Sequence, residues 1–180
     1  MADKKRYIVT SVTLGVIAAS SALLIGLTNL VTRNQIAQNE KNKINAGIVE
    51  IFGKTATIST EFGIKDSNLT NEYKYVQHIY SVSDGVEKQL GYAFKTTGSN
   101  MYGKISLLVG FDETSHGFIG LSLTVNEQTY ASTLVENYVI PLNDGSGKID
   151  DVSCGATYGA KLVRDMVNEA EQAAKELWKE

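Results

Sequence analysis

The sequence predicts an α+β fold: a single N-terminal transmembrane helix, then a domain with an antiparallel sheet and flanking helices. Three observations carry this. An uncharged stretch runs from Tyr7 to Thr32. Strand-like runs separated by turn-forming residues occupy Tyr73 to Asn126. The chain then closes on an amphipathic helix, whose apolar stripe is Leu162, Val163, Met166, Val167, Ala170, Ala173, Ala174 and Leu177. The expected organisation is a tip and anchor over 1–32, a juxtamembrane helix over 33–53 and a folded domain over 54–180.

The anchor comes first. At roughly 1.5 Å per residue, a helix over Tyr7–Thr32 spans a hydrocarbon core of about 30 Å. The run has no polar face, as a buried helix of a soluble protein would need, and is too long for a typical signal-peptide apolar region. The small residues Ala18, Ala19, Ser20, Ser21 and Ala22 keep a cleaved signal as the alternative. Lys4, Lys5 and Arg6 precede the span, whereas a mixed stretch follows Arg33. That bias predicts a cytoplasmic N-terminus and an extracytoplasmic domain.

From Asn34 to Phe52, Ile36, Ile44, Ile48, Val49, Ile51 and Phe52 recur at helical spacing, and Gly53 stops the helix. A short strand is possible at Ala56–Ser59. Tyr73–Ser83 reads as a strand, Asp84-Gly85 as a hairpin turn and Val86–Thr97 as the returning strand. Gly103–Asp112 and Phe118–Asn126 complete the set, joined by a turn over Glu113–Gly117. Tyr130–Val139 reads as a short helix and Pro141–Asp151 as a polar loop.

Composition narrows the function classes. With Lys+Arg 17 against Asp+Glu 20, the net charge is −3, which gives no basic footprint for nucleic acid. Cys154 is the single cysteine, so no disulfide forms within the chain and no multi-cysteine cluster or zinc site is held by it alone. Electron transfer by this chain would therefore need an organic cofactor.

The run that carries chemistry is Asp151-Val-Ser-Cys-Gly-Ala-Thr157. Gly155 and Ala156 let another molecule approach the backbone. They stand where a helix starts, and the unpaired amides there favour a phosphate. Thr157 offers a hydroxyl at the same place. On physics alone, helix N-cap is the commoner role for such a threonine.

This run resembles the flavinylation motif Asp-x-x-(Ser/Thr)-Gly-Ala-Thr of the FMN-binding domain family, found in the G subunit of the Rnf electron-transport complex. The same domain occurs in the C subunit of the sodium-pumping NADH:quinone reductase. Cys154 stands in the Ser/Thr slot. Gly91-Tyr92-Ala-Phe94, Tyr102-Gly103-Lys104-Ile105 and Leu108-Val109-Gly110-Phe111-Asp112 are similar to the family's strands leading into the flavin site. Where the family usually has Glu-Thr-Pro-Gly-Leu-Gly, this chain has Gln128-Thr129-Tyr130-Ala131-Ser132-Thr133-Leu134, and Thr129 carries over.

The resemblance implies FMN joined covalently to Thr157 by a phosphoester, with Gly155, Ala156, Cys154, Asp151, Thr129 and Tyr158 around it. It also implies a flavin transferase for maturation, other membrane subunits as partners, and a role as electron carrier rather than independent catalyst. A stand-alone FMN-binding protein of extracellular electron transfer is the alternative within that class. A pilin-like or sensory module is the alternative outside it, although no glycine processing site and no glutamate within the apolar run support a pilin.

The remaining candidates have blander readings. Cys154 is a small packing residue or a thiol beside the flavin, and Asp151 a transferase recognition residue or a turn residue. Tyr158 stacks on a bound ring or packs. His78 and His116 lack ligand partners at metal spacing. Asn143–Gly147 lacks the closing glutamate of a calcium loop. Tyr73, Tyr75 and Tyr80 read as sheet packing.

Overall fold

A computed structural model describes residues 2–64, 69, 71–86 and 88–179, with side chains from residue 6 onward. The Lys4 and Lys5 side chains, on which the orientation expectation partly rests, lie outside the described residues. The chain divides into two compact units, 1–42 and 43–180. Helix α1, Ala2–Phe52, runs through both, so the anchor and the helix expected after it are continuous.

In the first unit, α1 is long and apolar enough to cross a membrane, and none of its apolar window is buried. Four of its hydroxyls bond within the helix. Thr10, Thr13, Ser20 and Thr28 donate to the carbonyls of Arg6, Val9, Val16 and Leu24, at 2.8–2.9 Å. These four side chains thus close on their own backbone, which suits surroundings that offer no water.

The second unit is built on a five-stranded antiparallel meander in the order β1 to β5: β1 Thr57–Gly63, β2 Val76–Ser83, β3 Gln89–Asn100, β4 Gly103–Asp112 and β5 Phe118–Asn126. Short connections make neighbours of β2, β3, β4 and β5. The β2–β3 turn is closed by Asp84, whose Oδ1 accepts the amides of Val86 and Lys88. The β4–β5 turn is closed by Asp112, whose Oδ2 accepts those of Thr114 and Ser115. After β5 the chain is helical from α2, Ala131–Leu134, through a π turn, Val135–Val139, to α3, Ile140–Asp144. Helix α4, Thr157–Leu177, follows a loop.

Both faces of the sheet are covered. On one, Ile44 and Ile48 of α1 bury against Tyr80, Val82, Ala93 and Leu108. On the other lies the main core, where α4 sets Leu162, Val163, Met166, Val167, Ala170, Ala173 and Ala174 against Ile79, Phe94, Ile105, Leu107 and Val109. The sequence stripe of α4 is this buried face, with Leu177 packed at its edge. β4 is therefore buried on both sides, which suits the largely apolar run Ile105-Ser-Leu-Leu-Val109, in which Ser106 bonds to the Thr97 hydroxyl.

Four element boundaries differ from the sequence expectation. β1 is Thr57–Gly63 rather than Ala56–Ser59, because its pairing with β2 continues to Gly63 opposite His78. β2 begins at Val76 rather than Tyr73, because Glu169 of α4 takes the amides of Tyr75 and Val76, and Tyr73 leans on α4 instead of pairing. β3 is shifted toward Asn100, following its register with β4, in which Asn100 faces Gly103. The helix expected over Tyr130–Val139 continues to Asp144, with Pro141 inside it. Pro141 sits in the first turn of α3, where a missing N–H costs least, directly after a π turn that interrupts the regular ladder.

Candidate functional site

The site is assembled at the start of α4. Tyr138 donates its phenol to the Ile149 carbonyl, and Asn137 donates to the Cys154 carbonyl. Ile149, Val152 and Cys154 pack against the main core. The loop before α4 is thus held at both its middle and its end. Burial of Tyr138 raises its phenol pKa, so this clamp stays protonated across the physiological range.

Gly155 then turns the chain with φ +83, a left-handed conformation that residues with a Cβ adopt at a cost of about 1–2 kcal/mol. Ala156 is the N-cap, without a side-chain cap hydrogen bond, and Thr157 is the first residue inside the helix. The N-cap reading of Thr157 is corrected accordingly: a side chain one position later in the helix cannot fill that role. The first helical hydrogen bond here is from the Ala160 amide to the Ala156 carbonyl. The amides of Thr157, Tyr158 and Gly159 precede it, as the first-turn donors of any helix do.

These residues line a cleft of about 260 Å³ together with Tyr102, Gln128, Tyr130 and Tyr158. Tyr102 comes from the β3–β4 turn and lies between two other rings. Its centroid is 5.3 Å from that of Tyr158 and 6.4 Å from that of Tyr130. The turn is fixed by a polar network. The Asn100 Nδ2 donates to the Tyr158 carbonyl at 3.1 Å, and the Asn100 Oδ1 accepts the Tyr102 amide at 2.8 Å. Gln128, only 7% exposed, donates from Nε2 to the Asn100 Oδ1 at 3.1 Å and to the Gly103 carbonyl at 2.6 Å. The Thr129 amide and hydroxyl both donate to the Tyr102 carbonyl. Gly159 lets the helix approach: a Cβ there would meet Leu134 at 3.1 Å and the Gln128 Oε1 at 3.3 Å.

Of the seven residues singled out in the sequence, Gly155, Ala156, Thr157 and Tyr158 line the cleft. Thr129 stands behind it and holds Tyr102. Cys154 is half-buried against the core, and Asp151 is exposed in the loop; neither lines the cleft. Gln128, Tyr130 and Gly159 were not expected there, and Tyr102 was expected only on a strand leading toward the site. Outside the cleft, His116 stacks on Trp178 at 4.1 Å and His78 lies 3.5 Å from Glu61. Among the described residues, no group of His, Cys, Asp and Glu could hold a metal ion. The Asn143 side chain brackets Leu121, accepting from its amide and donating to its carbonyl, each at 2.8 Å.

Fold and site together define a class: among the described residues, one helix long and apolar enough to cross a membrane, and an α+β head that opens a tyrosine-lined cleft at a helix N-terminus. Residues 1–51 match the family model of the RnfG N-terminal region. Over that region the chain is similar to RnfG proteins, and the match ends before the sheet begins. No curated protein matches the chain.

Proposed function

We propose that the chain is a covalent flavoprotein, carrying FMN esterified through its phosphate to Thr157 and relaying electrons as the G-type subunit of an Rnf complex. The observation that carries this reading is the position of Thr157. It is the first residue of α4, within the Asp151–Thr157 motif, in a cleft that has phosphate-favouring amides on one side and tyrosine rings on the other.

The residues fit the group. The helix terminus favours the charge of a phosphodiester. Among the described residues no hydrogen bond engages the Thr157 hydroxyl, which leaves it accessible to a transferase. A volume of about 260 Å³ lies just under the ~300–1,000 Å³ of sites that bury most of a ligand's surface. It suits a group tethered at one end and exposed at the other, as exchange with successive redox partners requires. The flavin would supply one- and two-electron chemistry when bound. The chain itself would hold the phosphate at the α4 amides, orient the ring against Tyr102, Tyr130 and Tyr158, and keep the site on a rigid sheet. Thr157 is an attachment point and moves no proton in turnover.

The cation bias of Lys4, Lys5 and Arg6 supports an N-terminus in the cytoplasm and a head outside it. The partners would be the other membrane subunits of the complex and a flavin transferase. The test is in-gel flavin fluorescence of the denatured chain after co-expression with such a transferase. A fluorescent band that disappears in Thr157→Ala is expected. A dark wild-type band would refute covalent attachment, and a fluorescent mutant band would refute its assignment to Thr157.

A further inference from the structure

Gln128 is more than a packing residue, and the orientation of its amide can be worked out from its neighbours. The Asn100 side chain has one sense, because its Nδ2 faces the Tyr158 carbonyl and its Oδ1 faces the Tyr102 amide. The Gln128 Nε2 then faces two acceptors, the Asn100 Oδ1 and the Gly103 carbonyl. Turning the amide over would set oxygen against oxygen twice, so its orientation is fixed. An ionised glutamate at 128 could make neither bond. The Gln128–Asn100 pair is therefore matched within this chain.

Both Nε2 protons are used, and the Oε1 is left over. It faces the first turn of α4, 3.3 Å from the place where a Cβ on Gly159 would stand. No donor among the described residues bonds to it, and it is not one of the fully buried polar atoms left without a partner, so it opens onto the cleft that Gln128 lines. It is an oriented acceptor beside Gly159, two residues along the helix from Thr157.

We infer that Gln128 is a positioning residue whose Oε1 accepts a hydrogen bond from a polyol hydroxyl of the group attached at Thr157. This rests on the covalent-flavin reading. In a flavin tethered by its phosphate, the ribityl chain is the part next to the ester, and its hydroxyls are the donors nearest the helix start. The interaction fixes the direction in which the tether leaves α4, and so directs the ring toward Tyr102 and Tyr158. Loss of one neutral hydrogen bond shifts the ratio of docked to free ring by about fivefold.

The full chain in detergent, flavinylated or as Thr157→Ala, provides the test. In-gel fluorescence first establishes whether flavin is attached; a dark wild-type band overturns the underlying reading and this inference with it. Where the band is fluorescent, the Gln128 13Cδ resonance should move downfield relative to Thr157→Ala, while the Nε2 resonances, whose partners persist, stay in place. An unmoved 13Cδ resonance overturns the inference and leaves the flavin ester intact. As a second measurement, Gln128→Met should lower the melting temperature more in the flavinylated chain than in the Thr157→Ala background. Equal losses in the two would show that Gln128 serves only Asn100 and Gly103, and would refute the contact with the polyol.

Discussion

The two ends of α4 are built in opposite ways. Its C-terminal half is fastened to the strands and to the segment ahead of β2. Glu169 takes the backbone amides of Tyr75 and Val76, and Glu176 takes the Tyr73 phenol at 2.5 Å and the Asn71 Nδ2 at 2.7 Å. Trp178 lies beside Tyr92 and Phe111 and under His116. At its N-terminal end the cap is an alanine, the adjoining residues are small, and two of the three tyrosines are more than half exposed, Tyr130 at 56% and Tyr158 at 58%. The difference shows how a rigid helix can be used. One end is fixed to the sheet, and the other presents unpaired amides and a hydroxyl at a constant position, which is the arrangement a pre-organised anion site needs.

Substitutions test this contrast in descending order of effect. Phe94→Ala empties the core under the middle of α4, where Phe94 meets Phe111 edge-on with centroids 5.7 Å apart. It should cost about 3–5 kcal/mol in chemical denaturation and loosen both ends together. Loss at only one end would mean that α4 does not act as a single rod. Glu169→Ala leaves the Tyr75 and Val76 amides without their acceptor, at a cost of about 1–3 kcal/mol, with flavin fluorescence per folded chain unchanged. A dark Glu169→Ala band would show the two ends to be coupled. Gly155→Ala strains the turn into α4 by about 1–2 kcal/mol and should do the reverse, lowering flavin incorporation by more than its modest loss of stability suggests.

The smallest effect is one of pH. Burial, together with the hydrogen bond to Glu176, raises the Tyr73 pKa from 10.0 to about 12. Because the folded value lies above the unfolded one, the folded state holds this proton more tightly. The associated stability is fully present below pH 10 and is lost as pH rises toward about 12. Melting temperatures should therefore fall across that window, and Tyr73→Phe should flatten the fall without altering flavin content. An unchanged slope in Tyr73→Phe would place the effect elsewhere, with Tyr138 the next group to examine.

Much of this fold could be read directly from the residues. β4 and β5 fall where alternating and continuous apolar runs place them, and α4 follows its stripe residue by residue. The misread boundaries have different physical causes. Glu169, distant in sequence, claims the amides ahead of β2, whereas the tight Asn100–Gly103 pairing shifts β3 and the adjoining π turn admits Pro141 into a helix. The cleft also depends on residues distant in sequence. Gly155 to Tyr158 are contiguous and carry the motif. Tyr102, Gln128 and Tyr130 arrive from two other connections, brought there by the pairing of β3, β4 and β5. One signal was available: Gly103, with φ +137, marks a turn in which a Cβ would meet the Glu127 carbonyl at 2.1 Å. Its backbone therefore lies directly against the segment that contains Gln128.

The central claim is covalent attachment at Thr157, and intact mass spectrometry of the chain extracted from membranes, followed by peptide mapping, tests it most directly. The account predicts a mass increased by one FMN less one water, borne by the peptide containing Gly155, Ala156 and Thr157 and absent from Thr157→Ala. An unmodified mass in the presence of an active flavin transferase, or the same increment on any other residue, would contradict it.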